Sequence, residues 1–210
     1  MHPRAIDRFF KTLAGEFGGT ATLIVTGAAA GSLWGRVRPS QDIDFGVRLA
    51  GRRRAAWERF QAAVRRTIER TGIQVNYAED IDRWGSVTLL DYRRHTTPYR
   101  RFGTLTIRLL DPAYWAIGKL TRYFALDVDD VAKVLKRRKV PASSAIRVWG
   151  RALRKSPRSA ALTQFRDQVE HFLRTYGRTV WGRGFDAEAA VRQFHLAAGI
   201  PLVRRSKERT

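Results

Sequence analysis

The chain has no cysteine, a single methionine and four widely scattered histidines. The missing thiols exclude disulfides, thiolate nucleophiles and cysteine-based zinc or iron–sulfur centres. His2, His95, His171 and His195 show no paired-ligand spacing, which leaves oxygen as the donor for any metal. No run approaches the roughly 18 apolar residues of a membrane-spanning helix, and MHPRAIDRFF lacks the apolar centre of a signal peptide. The expectation is a cytoplasmic protein without a membrane partner. No phosphate loop of the G-x-x-x-x-G-K-[ST] type, dinucleotide-binding G-x-G-x-x-G or G-x-S-x-G elbow is present.

Acid is scarce as well. Forty Lys and Arg stand against nineteen Asp and Glu, a net charge of +21, so the chain attracts polyanions over long distances. The imbalance is uneven: residues 1–132 carry 21 cations and 14 anions (net +7), and residues 133–210 carry 19 and 5 (net +14). The second region is the expected polyanion-binding surface, and nucleic acid, RNA in particular, is the expected partner.

What remains is enough for a core, with 44% hydrophobic and 11% aromatic residues in 210. Ile6, Phe9, Phe10 and Leu13 recur at helical spacing over 4–17, and GGT at 18–20 ends that helix. ATLIVTG (21–27) reads as a buried strand, 28–35 as a short Ala-rich helix and QDIDFGVRL (41–49) as a second strand. Trp57, Phe60, Val64 and Ile68 line one face of a helix over 57–70. IQVNY (73–77), SVTLLDY (86–92) and TLTIRLL (104–110) have the composition of strands. From Asp111 the pattern is helical: 112–126, 129–138, 144–155, 159–177 and 186–199. These readings define an α/β fold, a small mixed-sheet core (1–110) followed by an all-helical basic lobe (111–203) and a basic tail (204–210).

Asp42 and Asp44 stand two apart on the second predicted strand, where the side-chain period of two puts them on one face and sends Ile43 and Phe45 to the other. Two like charges so close are unfavourable unless a cation neutralises them, and carboxylate oxygens suit magnesium or manganese. An isolated acid pair also suits a solvated strand edge.

The surrounding residues resemble the signature of the polymerase β-like nucleotidyltransferase superfamily. TLIVTGAAAGSLWGRVRPSQDIDFGV places Gly27 after an apolar strand, a short helix next, and then the acid–apolar–acid strand, with thirteen residues between Ala28 and Asp42. Gly27, Ala30, Gly35, Arg38, Ser40 and DIDF match more narrowly the spacing of the AbiEii-like bacterial nucleotidyltransferases, many of which belong to toxin–antitoxin or phage-defence systems. The resemblance implies transfer of a nucleoside monophosphate from an NTP, dependent on Mg²⁺ or Mn²⁺. It implies a third carboxylate on a neighbouring strand, for which Asp91 is the best candidate. It also implies phosphate contacts from Gly27, Ala28, Arg38, Lys119 and Arg122, with Ser32 belonging to an alternative register of the loop at Gly31-Ser32. Ala28 departs from the second Gly or Ser usual in the family and removes a hydroxyl. LLDPAYWAIGKLTRYFALDVDD resembles the same group, with Lys119 and Arg122 on one helical face and Asp127 and Asp130 opening the next helix, Asp130 in a capping or salt-bridge role.

For the acceptor, Lys136, Arg137, Arg138, Lys139, Arg151, Arg154 and Lys155 offer phosphate contacts, with Trp149 and Trp181 as candidate stacking residues or core residues. This favours RNA, such as a tRNA end. Two alternatives stand beside it: nucleotidylation of a partner protein such as a cognate toxin, and a catalytically silent fold used as a nucleic-acid-binding or assembly module.

Overall fold

The computed structural model describes residues 1–35, 38–51 and 54–201. The basic tail at 204–210 lies outside these.

The first helix, α1 (Pro3–Phe17), starts on a proline, whose missing N–H costs nothing in the first turn, and stops at Gly18 in the left-handed region. Its four predicted core residues, Ile6, Phe9, Phe10 and Leu13, are fully buried. Strand β1 (Ala21–Thr26) runs directly into α2 (Gly27–Gly35), and β2 (Ile43–Leu49) returns antiparallel to β1. Helix α3 (Arg54–Thr71) then leads to β3 (Val75–Ala78), which lies parallel to β2. Strands β4 (Thr96–Phe102) and β5 (Leu105–Leu110) form a hairpin, with β5 parallel to β1. The sheet order is β3-β2-β1-β5-β4. Consequently β1 and β5 end, and β2 and β3 begin, along the same edge of the sheet.

Two strand readings need correction. SVTLLDY (86–92) forms no strand: after a one-turn 3₁₀ helix at Ile81–Trp84 the chain is irregular, and Asp91 is left-handed (φ 52°) ahead of a second 3₁₀ turn at Tyr92–Arg94. Its apolar residues are used singly, Val87 and Tyr92 packing into the core. The strand absent from the sequence reading is β4, TTPYRRF, disguised by Pro98 and two arginines. As the outermost strand it tolerates a proline, and its ladder to β5 shifts between Pro98 and Arg100.

Five helices follow among the described residues: α4 (Pro112–Arg122), α5 (Ala125–Arg137), α6 (Ala142–Lys155), α7 (Ala160–Trp181) and α8 (Ala187–Ala198). The break between α4 and α5 falls at Tyr123, left-handed at φ 56°, three residues before the predicted end of that helix. One continuous cluster of buried side chains runs from α1 through the sheet into α8, so the sheet and the helices share a core. Three indole N–H groups reach backbone carbonyls near the sheet edge: Trp34 to Leu110 (3.2 Å), Trp115 to Gly27 (2.7 Å) and Trp149 to Ala113 (2.9 Å). They hold α2, α4 and α6 where the strands begin and end. No helix among the described residues is long and apolar enough to cross a membrane.

Candidate functional site

The acid pair sits on the sheet edge just defined. Ile43 and Phe45 are fully buried, Phe45 stacked on Tyr77 at 5.6 Å and packed against Phe9 and Phe10, while Asp42 and Asp44 stay half-buried on the opposite face. The Ser40 hydroxyl donates to the Asp42 carbonyl and fixes the turn into β2. The register of β1 on β2 sets Thr26 opposite Asp44, so the chain turning into α2 passes beside the Asp44 carboxylate.

That passage requires glycine. Gly27 is left-handed (φ 61°), and a Cβ there would lie 1.9 Å from Asp44 Oδ2. Any side chain would therefore displace the carboxylate in addition to straining the backbone. As the first residue of α2, Gly27 also brings the unpaired N–H groups of a helix start to the acids.

Asn76 on β3 is the residue the sequence did not disclose. Parallel pairing puts it opposite Asp44, and its side-chain Nδ2 donates to Asp42 Oδ2 and Asp44 Oδ1, each at 2.9 Å. Two carboxylate oxygens thus converge on one partially positive group, as they would on a cation, and the same amide carries an acceptor oxygen. Asp44 is held above the ordinary carboxylate range. Burial is the main cause and the Asp42 charge adds to it, against the Asn76 hydrogen bond and the attraction of Arg122 and Lys119. This donor set fits one divalent ion.

Asp91 does not join it. The exposed turn that carries Asp91 replaces the predicted strand, and among the described residues no group of three or more Asp, Glu, His or Cys is arranged to hold a metal. The neighbouring-strand position expected for a third carboxylate is occupied by the Asn76 amide, so the expectation of Asp91 there is corrected: Asp91 lies on no strand.

A cleft of about 320 Å³ is lined by Asp44 and Gly27 together with Lys119 and Arg122 on α4. Lys119 is 2% exposed. Its Nζ donates to Asp127 Oδ1 (2.8 Å) and Asp130 Oδ2 (3.1 Å), Arg38 donates to the same two carboxylates (2.8 and 3.0 Å), and Arg122 donates twice to Asp127 (3.0 and 3.1 Å). Burial pushes the Asp127 carboxyl up, but Arg122 and Lys119 outweigh it and hold the carboxyl below its ordinary range. Three cations on two anions leave one positive charge fixed at the wall of the cleft. Asp130 is the salt-bridge residue its position predicted.

The remaining expected residues divide. Ala28 is in the first turn of α2, as its role requires. Ser32 is buried in the middle of α2, so the alternative loop register at Gly31-Ser32 is set aside. Lys136, Arg137, Arg138 and Lys139 are exposed at the end of α5, and Arg151, Arg154 and Lys155 are exposed on α6. Arg137 donates to the Gly35 carbonyl (3.4 Å) and Arg138 lies 4.6 Å over the Trp34 ring, so these two also brace the C-terminal end of α2. Trp149 is fully buried and cannot stack on a base. Trp181 is half-buried, stacked on Phe185 and bonded to the Val140 carbonyl.

No protein-family model matches the chain, and no curated protein or solved structure does either.

Proposed function

We propose that the chain is a metal-dependent nucleotidyltransferase that moves a nucleoside monophosphate from an NTP to a macromolecular acceptor, with RNA favoured. The observation that carries this reading is one cleft lined by Asp44, which converges with Asp42 on Asn76 beside the start of α2, and by Lys119 and Arg122, with the Lys119 ammonium held in a buried ion-pair cluster. A triphosphate needs both: anion-binding groups along its length and a cation at the reacting end.

Asp42 and Asp44 would hold the divalent ion, which when bound neutralises phosphate charge and polarises the α-phosphorus. The N–H groups at the start of α2 face the phosphates. Arg122, 53% exposed at its side chain, reaches them as well. Lys119 contributes from behind, its ammonium held in place by Asp127 and Asp130. The acceptor hydroxyl forms the new bond to the α-phosphorus as the bond to pyrophosphate breaks, so positioning and electrostatics do most of the work.

RNA is favoured as acceptor because residues 133–210 carry net +14 in sequence, and the exposed cations at the end of α5 (Lys136, Arg137, Arg138, Lys139) and on α6 (Arg151, Arg154, Lys155) do not line the cleft. An extended polyanion can rest there while its end reaches the cleft. Incubation with each α-labelled NTP, Mg²⁺ or Mn²⁺ and separated cellular RNA and protein tests the reading: label in RNA supports it, label in one polypeptide transfers the activity to a protein acceptor, and label in neither defeats it. Changing Lys136, Arg137, Arg138 and Lys139 together to Ala should flatten the slope of log affinity for RNA against log salt by about 0.7 to 0.9 for each phosphate no longer neutralised. A slope near zero in the unaltered protein removes RNA as the acceptor.

A further inference from the structure

The lining of the cleft combines charged groups, Asp44, Asp82, Lys119 and Arg122, with an apolar set, Ile81, Val87, Leu89, Ile117 and the indole of Trp84. Four large apolar side chains are exposed among the described residues: Trp84 (45%), Phe124, Leu126 and Leu196. Of these, Trp84 alone lines the cleft. It also borders a shallower recess over Asn76 and Tyr77, and Asp44 faces both openings. Singly exposed apolar residues are ordinary; a half-exposed indole at the mouth of a charged cleft is a flat apolar surface offered to a ligand that has an anionic end.

The segment carrying Trp84 is braced against the rest of the fold. Asp80 caps the 3₁₀ turn by accepting from the Asp82 N–H (3.2 Å), and the Asp82 carboxylate accepts from the Leu89 N–H. Ile81 and Val87 are buried on either side. The Thr88 N–H donates to the Ser156 hydroxyl of α6 at 2.8 Å, which ties the loop to the helical region. The indole is therefore presented from a fixed loop, and stacking on it requires little further ordering.

We infer that Trp84 is the base-stacking residue of the nucleotide site: the phosphates meet Lys119, Arg122 and the acid-held cation, and the nucleobase lies on the indole face beside Ile81, Val87 and Leu89. This rests on the nucleotide reading of the cleft and adds to it the orientation of the nucleotide. Contact through a π-face distinguishes a nucleoside triphosphate from bare polyphosphate and depends little on which base is present.

The test compares binding of inorganic tripolyphosphate and of each of the four NTPs, with Mn²⁺ present, to the full chain and to its Trp84→Ala and Trp84→Phe variants. The exposed position of Trp84 leaves both variants able to fold. Trp84→Ala should weaken NTP binding about 5- to 150-fold and leave tripolyphosphate unchanged, with Trp84→Phe staying much closer to the unaltered protein. Unchanged NTP affinity in Trp84→Ala, or equal weakening of NTP and tripolyphosphate, overturns the stacking role while the nucleotide site stands. If the unaltered protein binds neither probe, the nucleotide reading of the cleft falls and takes this inference with it.

Discussion

Asp44 lines the cleft and Asp127 lies buried behind it, paired with Lys119 of the lining, and their surroundings push the two carboxyls in opposite directions. Asp127, fully buried, is met by Lys119, Arg38 and Arg122, and its carboxyl is held below the ordinary range. Asp44 has an amide and a second carboxylate as nearest partners, and its carboxyl is held above that range. A satisfied buried charge is the signature of structure; an under-compensated one facing a cleft is the signature of a site awaiting a ligand. The acid pair at the start of β2 and the acid pair of α5, expected from two separate motifs, therefore stand in opposite electrostatic settings.

The largest expected effect of breaking this contrast is on turnover. Asp42→Asn or Asp44→Asn should abolish NTP turnover while the urea unfolding midpoint stays level or rises, because β2 is kept and a repulsion is relieved. Full activity in either variant would refute the metal-site reading. In the buried cluster the cost should fall on stability. Lys119→Met leaves Asp127 and Asp130 buried with one cation fewer and should cost about 3–5 kcal/mol in equilibrium unfolding. A loss below about 1 kcal/mol would mean that Arg38 and Arg122 alone satisfy the two acids.

Gly27→Ala acts beside Asp44. The left-handed backbone should cost about 1–2 kcal/mol, and the new methyl displaces the Asp44 carboxylate, so activity should fall far more than stability does. Comparable folding and full turnover would show that the close approach of α2 to Asp44 has no part in the reaction.

The smallest effect is in the pH dependence of stability, and its sign differs for the two acids. Asp127, with its folded carboxyl lowered, contributes stability that is present above the ordinary carboxylate pKa of about 4 and lost as pH falls through the lower folded value. Asp44, with its folded carboxyl raised, favours the folded state when protonated, and that advantage disappears as pH rises through the folded value. Asp44→Asn should accordingly be more stable than the unaltered protein at pH 7, with the difference closing as pH falls toward about 4. Chemical denaturation of both proteins across that range measures it; a difference that widens toward low pH contradicts the environment assigned to Asp44.

Local pattern was sufficient for part of this. A two-residue period put Asp42 and Asp44 on one face and Ile43 and Phe45 in the core, and a glycine between an apolar strand and a short helix marked the turn at Gly27. Both depend on neighbours in sequence. Helical spacing likewise identified the buried faces of α1 and α3, because a single helix carries its own period. The segment 86–92 misled for a related reason: strand composition reports the tendency of apolar residues to be covered, and here Val87 is buried from an irregular loop tied to Ser156 at the end of α6, without any strand pairing.

Only the tertiary structure decided the rest. Asn76 stands beside the acids because β3 pairs in parallel with β2 in one register, and a shift by one residue would turn its side chain to the other face. Lys119 is buried because the left-handed turn at Tyr123 folds α5 back and delivers Asp127 and Asp130 to it, a partnership that helical spacing alone reads as a solvated face. Trp84 reaches the mouth of the cleft through a loop anchored to a helix some seventy residues away in sequence. Chemistry carried within one strand or helix was legible from residue order; chemistry that depends on which elements meet required the fold, because long-range pairing brings together residues that no local period connects.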